Sequence, residues 1–125
     1  MKRLEIGENA YILKYSINAL AELQEMSGKS IEQHVADMAA GSIVGLRWIL
    51  WAGLIEIQDS MTVRQVGALL DDYFETGGEM DTLSDTLTAA LEDSGFFKAL
   101  ARAAEKLKEQ QAKARAEKKR KTIGA

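Results

Sequence analysis

His34 is the single histidine of the chain, and its side chain is the one whose ordinary pKa suits acid–base work near neutral pH. The helical phase of its surroundings places it on the polar side of a helix, as an ordinary surface residue. The serines at Ser27, Ser30, Ser42 and Ser60 have no base in prospect that would turn a hydroxyl into a nucleophile. The carboxylate pairs Glu22/Glu25 and Asp71/Asp72 fall on exposed helix phases and read as a solvated face. Metal ligation asks for several His, Cys or converging carboxylates; the chain has no cysteine, and no such spacing occurs. Gly77-Gly78 lacks the flanking pattern of a phosphate-binding loop. The expectation is a protein without a catalytic, cofactor or metal site, and not an enzyme.

The elements that would carry any other function are helices. With 125 residues the chain can bury a real core, and 46% apolar with 28% charged residues is the balance of a globular domain. Proline is absent, and ten glycines supply the punctuation, which favours helices joined by short turns. Without cysteine, disulfides are excluded and the redox compartment is left open. The start MKRLEIGEN has no long apolar region behind its basic residues, so a secretory signal is not expected and the cytoplasm is the default.

Leu4 and Ile6 alternate with charged residues, "AYILKY" from Ala10 to Tyr15 is rich in β-formers, and "GEN" from Gly7 to Asn9 is turn chemistry. A small N-terminal hairpin follows. Ser16 then caps a helix whose inner stripe is Ile17, Leu20, Ala21 and Leu23, closed by Gly28. Ser30 and Gln33 form a capping-box pattern ahead of Ile31, Val35, Met38 and Ala39. Thr62 and Gln65 open another helix, with Val63, Val66, Leu70, Tyr73 and Phe74 on one side. Leu83, Leu87, Ala90 and Leu91 mark a further one, ending at Ser94-Gly95.

Between these lies "LRWILWAGLIEI", which holds both tryptophans. Ile43, Leu46, Leu50, Gly53, Leu54 and Ile57 share one face, broadened by Trp48, Trp51, Ala52 and Ile55. The run is too short for a membrane span, which needs ~20 apolar residues, and Arg47 and Glu56 interrupt it. A helix apolar nearly all round is the buried centre of a domain. Leu20, Leu46, Trp48, Leu50, Trp51 and Leu54 are therefore the expected structural core. Arg47, one turn before Trp51, either lays its guanidinium over that indole or reaches solvent.

The last segment carries the stripe Phe96, Leu100, Ala104 and Leu107, which then fades into helix-forming residues with little to bury. This places a boundary near Lys108: residues 1–107 as a helical domain with its hairpin, and 108–125 as a basic helical or disordered tail. Charge sharpens the division. Met1 to Ser94 holds six Lys/Arg against sixteen Asp/Glu, a net of −10; Gly95 to Ala125 holds ten against three, a net of +7. An acidic body with a basic end suits contacts with a partner or with another copy. Lys108, Lys113, Arg115, Lys118, Lys119, Arg120 and Lys121 are the candidate partner-binding residues. Nucleic acid would be held only non-specifically, since no aromatic residue follows Phe97 and no base-reading motif is present.

Tyr11 to Ile55 resembles the tail assembly chaperones of long-tailed phages, prophages and gene transfer agents. That family typically shows an N-terminal strand pair, a helix start of the form F/Y-x-x-NAL-x-EL, a Gly-containing turn, and an LR-x-x-LWAGL helix. The corresponding residues are Tyr15, Asn18, Ala19, Leu20, Glu22 and Leu23; Gly28 and Ser30; and Leu46, Arg47, Leu50, Trp51, Ala52, Gly53 and Leu54. A little under half of the chain is covered, and the remainder matches only in being helical with a charged end. The resemblance implies a non-catalytic chaperone of the host cytoplasm, absent from the mature virion. Such a protein associates with the tape measure protein and helps recruit the tail tube protein, with self-association as a further contact and no membrane. It also implies a longer frameshifted form in many members. Two other readings stay open: a helical adaptor on nucleic acid, and a structural tail or connector protein.

The expected fold is mainly α. A small N-terminal β-hairpin precedes five or six helices packed around the tryptophan helix, with a protruding basic C-terminal helix.

Overall fold

A computed structural model of the protein describes residues 2–123, with side chains as far as residue 115. It is mainly helical, with a two-stranded antiparallel hairpin followed by six helices. Strands β1 (Lys2–Ile6) and β2 (Asn9–Leu13) pair with Lys2 opposite Leu13 and Ile6 opposite Asn9. The loop is thus Gly7-Glu8 alone. Gly7 has φ of +60°, which a glycine at the first loop position of a II′ turn adopts without a Cβ penalty. Leu4, Ile6 and Leu13 are buried.

Helices α1 (Ile17–Ser27), α2 (Ile31–Ala39), α3 (Ile43–Leu54) and α4 (Val63–Glu75) each begin at a side chain that satisfies an orphan N–H. Ser16 accepts from Ala19, Ser30 from Gln33, Ser42 from Gly45 and Thr62 from Gln65. At Ser30 and Thr62 the glutamine accepts from the N–H of the cap, which completes the box read at Ser30 and forms a second one at Thr62. Helix α5 (Met80–Glu92) starts at Glu79 without a side-chain cap. Helix α6 (Gly95–Ile123) completes the order. No helix among the described residues is long and apolar enough to cross a membrane.

The chain divides into two compact units between Ser94 and Gly95. Helix α6 runs without a break through Leu107 and Lys108, so the fading stripe is not an element boundary. Phe96 and Leu107 are exposed. Ala104 is also exposed, while Phe97 and Leu100 are half-buried.

In the first unit, α3 packs against β2, α1, α2, α4 and α5. Leu46, Leu50, Trp51, Ala52 and Leu54 are buried as expected, together with Ile49, which is wholly enclosed. Two of the positions expected on the inner face are not: Ile43 is 75% exposed and Ile57 53%. Ile43 is the first residue of α3, and Ile57 lies beyond its last. Trp48 is only half-buried, standing edge-on to Trp51 at 5.5 Å. In α1 the buried set is Ala19, Leu20 and Leu23; Ile17 and Ala21 face outward. In α2, Val35 and Met38 are half-buried and Ala39 is exposed. In α4, Val63 is half-buried and Phe74 exposed, while Val66, Leu70 and Tyr73 are buried.

Two close approaches fix α3 in place. At Gly45 a Cβ would lie 2.9 Å from the carbonyl oxygen of His34 and 3.1 Å from the amide nitrogen of Met38, so α2 rests directly on the α3 backbone. At Gly53 a Cβ would lie 2.8 Å from Cζ of Tyr15, whose hydroxyl donates to the Ile49 carbonyl oxygen at 2.7 Å. Gly53→Ala should therefore destabilise the protein by about 1–3 kcal/mol through overpacking. Thermal unfolding followed by circular dichroism checks this, and an unchanged midpoint would contradict it. The two tryptophans should also separate. Trp51→Ala is expected to cost about 3–5 kcal/mol, as truncation of a buried aromatic does, and Trp48→Ala clearly less. Equal losses in urea titrations would show that Trp48 carries as much of the core as Trp51.

Candidate functional site

His34 is not a surface residue: it is 2% exposed. Its place on α2 is three residues after Ile31 and four before Met38, the centre of the inward stripe, and its polarity hides that phase in the sequence. Its Nε2 lies 2.8 Å from Oγ of Ser27, so Ser27 does have a base within hydrogen-bond reach. The direction of the proton decides what this pair can do. The Ser27 hydroxyl donates to the Leu23 carbonyl oxygen at 2.7 Å and accepts the Lys29 N–H at 3.2 Å. Its single proton can go to the Leu23 carbonyl oxygen, to the Lys29 carbonyl oxygen at 3.1 Å or to the ring, and in the first two cases the hydroxyl accepts from a hydrogen on Nε2. A nucleophilic serine would need the opposite polarity, with the hydroxyl proton directed at the imidazole. Nδ1, where an orienting carboxylate would sit, is buried without a hydrogen-bond partner among the described residues. The pair therefore fastens the end of α1 to α2, and the ring packs 6.0 Å from Trp48.

Burial holds the His34 pKa below the usual imidazole value, helped by the Lys29 charge and opposed by Asp37. Lys29 is itself paired with Asp37 at 3.2 Å. Glu22, Glu25, Asp71 and Asp72 are exposed. Tyr15 and Tyr73 have pKa values raised by burial, and both hydroxyls are spent on backbone, at Ile49 and at Glu79 respectively.

One concave feature of the first unit is a groove of ≈ 760 Å³ between α3, α4 and the start of α5. Its apolar lining comes from Ile43, Leu46, Leu70, Phe74 and Met80, and small residues at Gly67 and Ala68 keep it open. Arg47, Arg64, Thr62, Gln65 and Asp71 supply its polar groups. A smaller hollow of ≈ 80 Å³ at Met38, Gly41 and Ser42 continues it, sharing Ile43, Leu46 and Met80. Three large apolar side chains stand open here: Ile43, Met80 at 49% exposure and Phe74 at 38%. Arg47 runs neither over Trp51 nor simply into water. Its Cδ lies near Gly67 of α4, and its Nε is buried with no hydrogen-bond partner among the described residues. The Trp51 indole is held instead by the Met61 carbonyl oxygen at 2.9 Å.

The groove was not among the sequence expectations. Its only trace there is a set of apolar residues at helix ends, where a core role is geometrically hard to fill. Among the expected partner-binding residues, Lys108, Lys113 and Arg115 are exposed on α6. The side chains of Lys118, Lys119, Arg120 and Lys121 lie outside the described ones. Comparison with models of protein families, with curated proteins and with solved structures finds no match.

The lowered pKa of His34 sets a pH dependence. In the unfolded chain the ring takes up a proton as the pH falls below 6.5, whereas the folded protein resists it until lower pH. Its contribution is complete above that value and lost as the pH falls towards the folded pKa. As the pH falls below 6.5 the wild type should lose stability more steeply than His34→Gln, which keeps a donor for Ser27 but does not titrate. Parallel losses in chemical denaturation across that range would mean that His34 protonates equally in both states.

Proposed function

We propose that this protein is a non-catalytic tail assembly chaperone of a long-tailed phage, prophage or gene transfer agent. It would act in the host cytoplasm, bind the tape measure protein, help recruit tail tube subunits, and be absent from the finished particle. The observation that carries this reading is the ordered set of residues from Tyr15 to Leu54 in which the resemblance lies. Its support in three dimensions is that these residues work as one packing unit. Tyr15 closes on Gly53, Ala19, Leu20 and Leu23 are buried, Gly28 takes φ of +76° at the end of α1, and Leu46, Leu50, Trp51 and Leu54 fill the centre. A motif consumed by packing specifies a scaffold, and leaves binding to the surface.

That surface has two chemistries. The first unit is acidic, with a net charge of −10, and the segment from Gly95 is basic, with +7. All residues from 101 to 115 are exposed, so this helix offers Lys108, Lys113 and Arg115 to a partner rather than to a core. Individual contacts of this kind are weak, but copies bound side by side along one long partner raise the effective concentration of the next.

Removing everything after Leu107 should leave the melting temperature nearly unchanged. It should reduce co-purification with the tape measure protein, and the remaining association of the full chain should weaken as salt rises. Unfolding of the truncated protein would make the end of α6 part of the core. Undiminished binding would place recognition on the acidic unit. Mass spectrometry of purified particles provides the complementary check: the protein should be missing, and its presence would favour a structural tail or connector protein.

A further inference from the structure

We infer that the groove between α3, α4 and the start of α5 is a docking site for an amphipathic helix that carries carboxylates beside its apolar stripe. The inference rests on the chaperone reading only for the identity of the partner, not for the chemistry of the site. An open apolar trough, rather than an enclosed cavity, is the shape that receives one face of a helix. Ile43, Phe74 and Met80 stand partly or mostly in water at its edges, where isolated burial gains nothing but a shared partner would cover all three.

Charge selects the occupant. From Ile43 to Glu92 the chain has nine acidic residues and two basic ones, Arg47 and Arg64. Both arginines line the groove, whereas of the nine acidic residues only Asp71 does. The groove is thus the basic spot on an acidic stretch of surface. Elsewhere in the first unit, Arg3 and Lys29 are engaged by Glu5 and Asp37. Among the described residues Arg47 and Arg64 have no ion-pair partner, and Nε of Arg47 is buried without an acceptor. A carboxylate on the incoming helix would supply one, in the charge-assisted geometry that favours arginine. A second copy presenting α6 is a poorer fit, since its cations would approach the two arginines.

The test uses two synthetic helical peptides with the same leucine stripe, one flanked by glutamates and the other by lysines. Each is titrated into the isotopically labelled full-length protein, and backbone amide shifts are followed. The glutamate peptide should bind at least about tenfold more tightly at low salt, with shifts confined to α3, α4 and the start of α5. The double variant Arg47→Glu, Arg64→Glu should reverse that preference. Ile43→Asp, at a position already open to solvent, should weaken both peptides while leaving the circular dichroism spectrum unchanged. Equal binding of the two peptides, shifts outside the groove, or dimerisation through these residues would each overturn the inference.

Co-purification with the tape measure protein separates this from the functional reading. If the tape measure protein binds and the glutamate peptide does not, the groove is wrong and the chaperone reading stands. If the peptide binds at the groove and the tape measure protein is never retained, the groove stands and the chaperone reading falls.

Discussion

Tyr15 reaches into the first unit at a point where α3 has no side chain to stop it. Its ring occupies the space a Cβ of residue 53 would fill, its hydroxyl donates to the Ile49 carbonyl oxygen at 2.7 Å, and the amide of Lys14 donates to the Gly53 carbonyl oxygen at 2.9 Å. A buried phenol without a partner would cost about 1–3 kcal/mol, so the bond and the missing Cβ are one requirement. Through this contact the end of the hairpin is seated on α3. Ser16, next in the chain, caps α1 and donates to Glu56 at 2.8 Å, which ties the start of α1 to the far end of the same helix. Gly45 does the equivalent for α2. The tryptophan helix is therefore central less for its aromatic bulk than for the two places where other elements touch its backbone.

The C-terminal half of α3, from Ile49 to Leu54, is buried and meets the end of the hairpin at Gly53. In the first turns Gly45 meets α2 and Leu46 is buried, while Ile43 and Arg47 line the groove with α4. In the proposed chaperone role, the arginines of the groove and the cations of α6 favour the same partner chemistry, an acidic helical surface, although they lie in different units.

The parts legible in the sequence are those set by local rules. Ser16, Ser30 and Thr62 precede helices because a short oxygen-bearing side chain satisfies an orphan amide, and all three do so; Ser42, which the sequence does not single out as a cap, does the same for α3. The stripe Leu83, Leu87, Ala90 and Leu91 has a polar opposite face, and it is buried as read. The phase of α3 was not legible in the same way. A helix apolar nearly all round has no polar face to orient it, so its pattern does not separate the open Ile43 from the enclosed Ile49. His34 reads as a surface residue for the opposite reason, because its ring nitrogen is satisfied by Ser27 across a turn that sequence spacing does not reveal. The groove needed more still: Ile43, Arg64 and Met80 come from three helices, and only their packing brings them together.

Native-state hydrogen exchange measures the central claim directly, since it reports the opening free energy of each amide. If α3 is the element on which the others are seated, the amides from Ile49 to Leu54 should exchange only through global unfolding, with the slowest rates in the chain. Those of α6 beyond Leu107 should exchange by local opening. Amides of α3 that open more readily than those of α4 or α5 would contradict the account, by showing that the first unit holds together without it.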